Sequence, residues 1–143
     1  MAPYRADDPR RIYLAVAVGS ALGAVLRHGA GLGALALAGS GFPWGTLVVN
    51  VAGSFVIGGF AALVQSGGPW ASWRSFRPLV MAGFCGGLTT FSVFSVETLT
   101  LLQDGRGAVA GANVAVSLLL WVPAAWVGYA LARRFAGRRG TAE

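Results

Sequence analysis

Residues 83–98 run Gly-Phe-Cys-Gly-Gly-Leu-Thr-Thr-Phe-Ser-Val-Phe-Ser-Val-Glu-Thr. They lie inside an apolar stretch where a lipid-spanning helix is expected. A plain spanning helix has no use for a glycine pair, a Thr-Thr pair and a glutamate at that depth. Non-helical backbone is tolerated within the membrane only where it is buried in protein or lines a cavity. An ionisable residue there is by default a sign of function. Gly86 and Gly87 are poor helix formers. With Thr89 and Thr90 just behind them, a break is expected over residues 86–90. The competing reading is a glycine packing notch without a break. A break frees carbonyl oxygens, and unwound carbonyls of this kind suit a small cation such as Na+.

The surrounding chain reads as membrane protein. Of 143 residues, 55% are hydrophobic and only 11% charged, and the mean hydropathy is strongly positive. A helical span needs about 20 mostly apolar residues. The expected fold is all-α, a single membrane domain over residues 1–143 with four transmembrane helices, at about 12–29, 44–65, 79–102 and 108–133, the third broken near its middle. The glycine-rich connection 29–43 either extends the first span or forms a short re-entrant piece. Residues 66–78, with Gly, Pro, Ser and two arginines, read as a loop. The 22 glycines allow close helix packing. Four spans make a thin bundle, so a pore or pocket forms more naturally between two copies.

The net charge of +6 comes from eleven basic residues, all arginine. Nine lie in the tails or the middle loop and no groove-reading motif accompanies them, so no nucleic-acid partner is expected. Cys85 is the one cysteine and His28 the one histidine, which leaves no basis for an intrachain disulfide or a Cys/His metal cluster. The N-terminal MAPYRADDPRR lacks a convincing cleavage site and does not read as a signal peptide. No GxxxxGK[ST] loop is present, and no enzymatic activity is expected.

Polar residues recur at helical spacing. Thr46, Asn50 and Ser54 form a stripe on the second span, and Asn113 with Ser117 a pair on the fourth. Each is either interhelical glue or part of a site; Asn50 can donate two hydrogen bonds from its amide. Phe91, Phe94, Ser95 and Thr98 are spaced to share one helical face. Ring edges carry partial positive charge, so the two phenylalanines either pack or face an anion beside hydroxyl donors. Glu97, the only acidic residue within a span, is an interfacial carboxylate, a member of a polar pathway or a proton carrier.

The stretches 45–54 and 83–97, together with Gly-Ser-Ala-Leu-Gly-Ala-Val-Leu-Arg-His at 19–28, resemble the fluoride channel family known as Fluc or CrcB. The likeness extends over nearly the whole membrane portion. It implies a passive fluoride channel subunit in the cell membrane that lets F- leave the cytoplasm and relieves fluoride toxicity. It also implies an antiparallel dimer with two pathways along its interface. Carried over by position, Asn50 matches the residue that hydrogen-bonds fluoride, and Phe91 and Phe94 the rings that line the path. Thr46, Ser92, Glu97 and Ser117 belong to the polar track. Arg27 matches an arginine of the aqueous vestibule. The carbonyls of Gly86 and Thr89 match those that hold a structural Na+ at the dimer centre. Val93 stands where many members carry threonine or serine, leaving the track one hydroxyl short.

The arginines bear on orientation. With four spans, Arg5, Arg10, Arg11, Arg74, Arg77, Arg133, Arg134, Arg138 and Arg139 share one side of the membrane, and only Arg27 and Arg106 the other. The positive-inside rule places both termini in the cytoplasm. The antiparallel partner is then either a second copy or a homologous subunit inserted the other way; the bias favours the latter. Two other classes compete: a small proton-coupled exporter of cationic drugs, which usually carries its essential glutamate in the first span, and a non-transporting membrane scaffold.

Overall fold

A computed structural model describes residues 8–66 and 68–140. It is helical throughout, and four of its helical segments are long and apolar enough to cross a membrane.

Helix α1 spans Pro9–Ala38, 30 residues. Asp8 caps its start by accepting from the Arg10 N–H at 3.1 Å, and Pro9 fills a first-turn position where no N–H is needed. The helix ends at Gly39, whose φ of 70° suits glycine and whose N–H reaches back to Leu35 O at 3.0 Å. The helix therefore continues well beyond the expected end near residue 29. Of the two readings of the connection, the extension is the one observed. The reason lies in residues 30–38, where alanine and leucine outweigh two glycines.

Helix α2 spans Trp44–Ser66. The expected loop that follows is instead a 3-10 helix, Gly68–Phe76. Aromatic packing overrides its weak propensity: Trp70 meets Trp73 at 5.6 Å and Phe135 at 5.9 Å, and Trp73 reaches Phe60 at 6.3 Å. Arg74 Nε donates to Val64 O at 3.5 Å near the end of α2.

The third span begins with α3, residues 78–88, wound as a π-helix over Pro78–Cys85 and as an α-helix over Gly86–Leu88. Thr89 and Thr90 are extended, and α4 resumes over Phe91–Gln103. The break is real, but it sits on the threonines rather than on Gly86 and Gly87, which remain helical. Gly87 is the packing notch: a Cβ there would fall 2.8 Å from the Ser20 Cα of α1. Gly83 and Gly19 meet in the same seam, so α1 and α3 touch backbone to backbone.

Helix α5, Gly107–Gly140, has 34 residues and outlasts its expected end at 133. It packs chiefly on α2, where Gly58 lies against the Ala125 carbonyl and Gly128 against that of Phe55. Large apolar side chains such as Tyr13, Leu14, Val25, Leu37 and Leu119 remain exposed, as expected of surfaces facing lipid or another subunit.

Candidate ion pathway

The break in the third span is held open by Asn50. Its Nδ2 donates to Thr90 O at 2.9 Å, and its Oδ1 accepts from Thr90 N at 2.7 Å. One buried amide thus satisfies both backbone groups of the residue that leaves the helix. Thr90 Oγ1 in turn caps α4 by accepting from Val93 N at 3.1 Å, and it lies 3.3 Å from Ser92 Oγ. Thr89 completes the turn: its N–H and hydroxyl both donate to Cys85 O, at 2.9 and 2.8 Å.

These bonds leave particular atoms uncommitted. The Asn50 amide has a second hydrogen with no partner among the described residues. Gly86 O loses its ordinary helical donor, because the Thr90 N–H is turned to Asn50. Thr89 O accepts from Arg27 Nη1 at 3.3 Å. Thus the two carbonyls expected to hold a cation differ: that of Gly86 lacks its usual helical donor, and that of Thr89 is shared with a guanidinium.

Two cavities flank the break. An open cleft of about 290 Å³ is lined by Asn50, Ser54, Gly86, Thr89, Phe91 and Trp121, among others. A larger cavity of about 770 Å³ includes Arg27, His28, Thr46, Glu97, Asp104 and Arg106 in its wall. The Thr46/Asn50/Ser54 stripe therefore serves both cavities, with Thr46 in one and Asn50 and Ser54 in the other. Thr46 and Glu97 share the wall of the larger cavity, and Glu97 Oε2 is buried without a partner among the described residues. Val93 lines the larger cavity, so the missing hydroxyl falls on its wall.

Phe91 and Phe94 meet at 5.6 Å between ring centroids but face different surroundings. Phe91 is 72% exposed and Phe94 only 7%. Phe94 lies edge-to-face on Trp121 of α5 at 5.0 Å. The expected single face of Phe91, Phe94, Ser95 and Thr98 is thus divided. Phe91 and Ser95 point outward, while Phe94 is buried and Thr98 half-buried toward α5. The hydroxyls of Ser95 and Thr98 donate back to the carbonyls of Phe91 and Phe94, at 2.8 and 2.7 Å. Their protons are spent on the helix and are not free for an anion.

Ser117 and Asn113 also diverge. Asn113 Nδ2 donates to Thr98 Oγ1 at 2.9 Å and joins α5 to α4 as glue. Ser117 is fully buried and its Oγ has no partner among the described residues. Ser92, Phe94 and Ser117 line neither cavity. Sequence reasoning missed Trp121, whose only signal was its position four residues after Ser117. It also missed Arg106, which donates to Gly41 O and so ties the α4–α5 turn to the α1–α2 connection.

Residues 14–129 match the family model described as CrcB-like protein, Camphor Resistance (CrcB). The chain is 43% identical over 134 residues to the fluoride-specific ion channel FluC 1 of Rhodopseudomonas palustris, covering 94% of this chain and 95% of that protein. It is 49% identical over 118 residues to the fluoride-specific ion channel FluC of Rhodospirillum rubrum, with 82% and 91% covered. It is 50% identical over 119 residues to the FluC of Opitutus terrae, with 82% and 89% covered. With a broken third span braced by an asparagine of the second, and with these matches along most of its length, the chain belongs to the CrcB family of FluC-type ion channels.

Proposed function

We propose that this chain is one subunit of a passive, fluoride-selective channel that lets F- leave the cytoplasm. The observation that carries the reading is the Asn50–Thr90 pair, which holds an amide N–H at the wall of a cleft beside Phe91. Fluoride is small and strongly hydrated, so a selective path must replace tight water contacts with well-placed donors. The second Asn50 N–H is such a donor, and ring edges add weaker support.

Arg27 and Arg106 line the larger cavity and offset the carboxylates of Glu97 and Asp104 there, which limits repulsion of an anion and suits a vestibule. Thr46, Ser92, Glu97 and Ser117 form the polar track beside the rings. The path is completed by a second subunit in antiparallel orientation, because the cleft is open and Phe91 projects from the bundle. The partner is either another copy or a homologue inserted the other way. The arginine bias favours the homologue and places the termini in the cytoplasm.

A structural Na+ at the dimer centre fits the donor set. Gly86 and Thr89 would hold it through carbonyl oxygens, hard ligands of the kind that coordinate Na+ at helix breaks. One chain supplies two carbonyls, too few to surround the ion, so the site needs the same pair from a second subunit. When bound, the cation offsets the repulsion between a passing anion and the surrounding carbonyls.

Fluoride efflux from proteoliposomes tests the reading. Fluoride leaves vesicles carrying the chain, alone or with its homologous partner, and chloride does not. Absence of fluoride flux in both preparations would overturn it.

A further inference from the structure

Ser117 and Trp121 lie one turn apart on the same face of α5. Each carries a buried polar atom, Ser117 Oγ and Trp121 Nε1, with no hydrogen-bond partner among the described residues. A buried donor without an acceptor is costly, and its survival calls for an explanation. An indole N–H can only donate, so whatever satisfies it must bring a lone pair or a negative charge.

The surroundings of Trp121 specify that acceptor. Its side chain lines the cleft together with Asn50, Thr90 and Phe91. Its ring also meets Phe94 edge-to-face at 5.0 Å, with an interplanar angle of 72°. Trp121 therefore links the cleft, where the Asn50 amide stands, to the buried phenylalanine, which lines neither cavity. Two nearby side-chain amides are already engaged: Asn113 serves Thr98, and the Asn50 oxygen is held by Thr90 N.

We propose that the indole N–H of Trp121 is a further ligand for fluoride, donating to the ion between Asn50 and Phe94. This rests on the fluoride reading above. The Ser117 hydroxyl, one turn along the same face, is the next donor the ion meets. A strong N–H donor beside weakly polar ring edges favours a small, tightly hydrated anion over larger halides.

The test pairs a variant with a measurement on the unaltered protein. Trp121→Phe keeps an aromatic ring against Phe94 and removes only the donor. Loss of one hydrogen bond to a charged group lowers flux by about tenfold, with unchanged elution of the assembled channel. In the second arm, the ¹H–¹⁵N spectrum of the native channel in detergent is followed during fluoride addition. The Trp121 indole signal is one of five tryptophan signals, assigned by its absence from the variant or, if that does not fold, by Trp→Phe changes at the other four positions. It shifts with fluoride and not with chloride. A signal that fluoride leaves in place, or a variant that conducts like the native protein, overturns the proposal while the channel reading stands. If the native chain carries no fluoride with any partner, the channel reading fails and this inference with it.

Discussion

Asn50 and Thr90 are joined by two reciprocal hydrogen bonds, 2.9 Å from the amide to the carbonyl and 2.7 Å from the backbone N–H to the amide oxygen. A side chain on α2 thereby does for the third span what the next helical turn does elsewhere. It supplies the donor and acceptor that an extended residue loses. The same side chain lines the cleft, so support of the break and exposure of a donor reside in one residue.

Asn50→Asp keeps the acceptor and removes the donor. Thr90 O is left buried without its partner, at a cost of about 1–3 kcal/mol. A carboxylate at the cleft also repels an anion. Fluoride efflux falls at least about a hundredfold, and thermal unfolding in detergent moves to lower temperature. Retention of native flux would dismiss Asn50 as a fluoride ligand.

Phe94→Ile removes the ring edge and the edge-to-face contact with Trp121. Such a contact contributes about 0.5–1.5 kcal/mol beyond area burial, so stability falls modestly. Efflux falls strongly, because isoleucine has no polarised edge. A variant with lowered stability and full flux would make Phe94 a packing residue only.

The two neighbouring glycines respond oppositely. At Gly86 an added Cβ meets nothing within the chain nearer than Met81 O at 4.0 Å, so Gly86→Ala folds. At Gly87 it meets the backbone of Ser20, with Cα at 2.8 Å. Gly87→Ala forces α1 from α3 and lowers stability by about 1–3 kcal/mol or more. Thermal unfolding and size-exclusion profiles of the two variants, compared side by side, check this. Equal profiles would contradict the α1–α3 seam.

Arg27→Gln weakens the charge at the larger cavity and the bond to Thr89 O. Flux falls, and the loss is largest at low ionic strength, where electrostatic concentration of anions is greatest. Efflux measured across a series of salt concentrations tests this. A deficit that does not change with salt would assign Arg27 to structure alone.

A reporter fused to the C-terminus gives signal from the cytoplasmic side only, as the arginine bias requires. Equal signal from both sides would reject the fixed orientation and favour assembly of the chain with itself.

Much of this protein is legible in the chain. Length and apolar composition fix four spanning helices, because lipid leaves the backbone few alternatives. The Gly-Gly-Leu-Thr-Thr run marks an interrupted third span, and local propensity is enough to place it within a few residues. The oddity and length of residues 83–94 point to the family before any coordinate is known.

Tertiary structure decided the rest. The break settles on Thr89 and Thr90 rather than Gly86 and Gly87, because Gly87 is pressed against α1 while Asn50, forty residues earlier, can satisfy Thr90. Helical spacing groups Phe91 with Phe94, but α5 buries only the second. Ser117 is kept without a partner among the described residues while Asn113, four residues away, is consumed by Thr98. Trp121 gains meaning only when α5 lies against α4. Periodicity specifies which residues share a face; which polar atoms remain unpaired depends on what the neighbouring helices bring to that face.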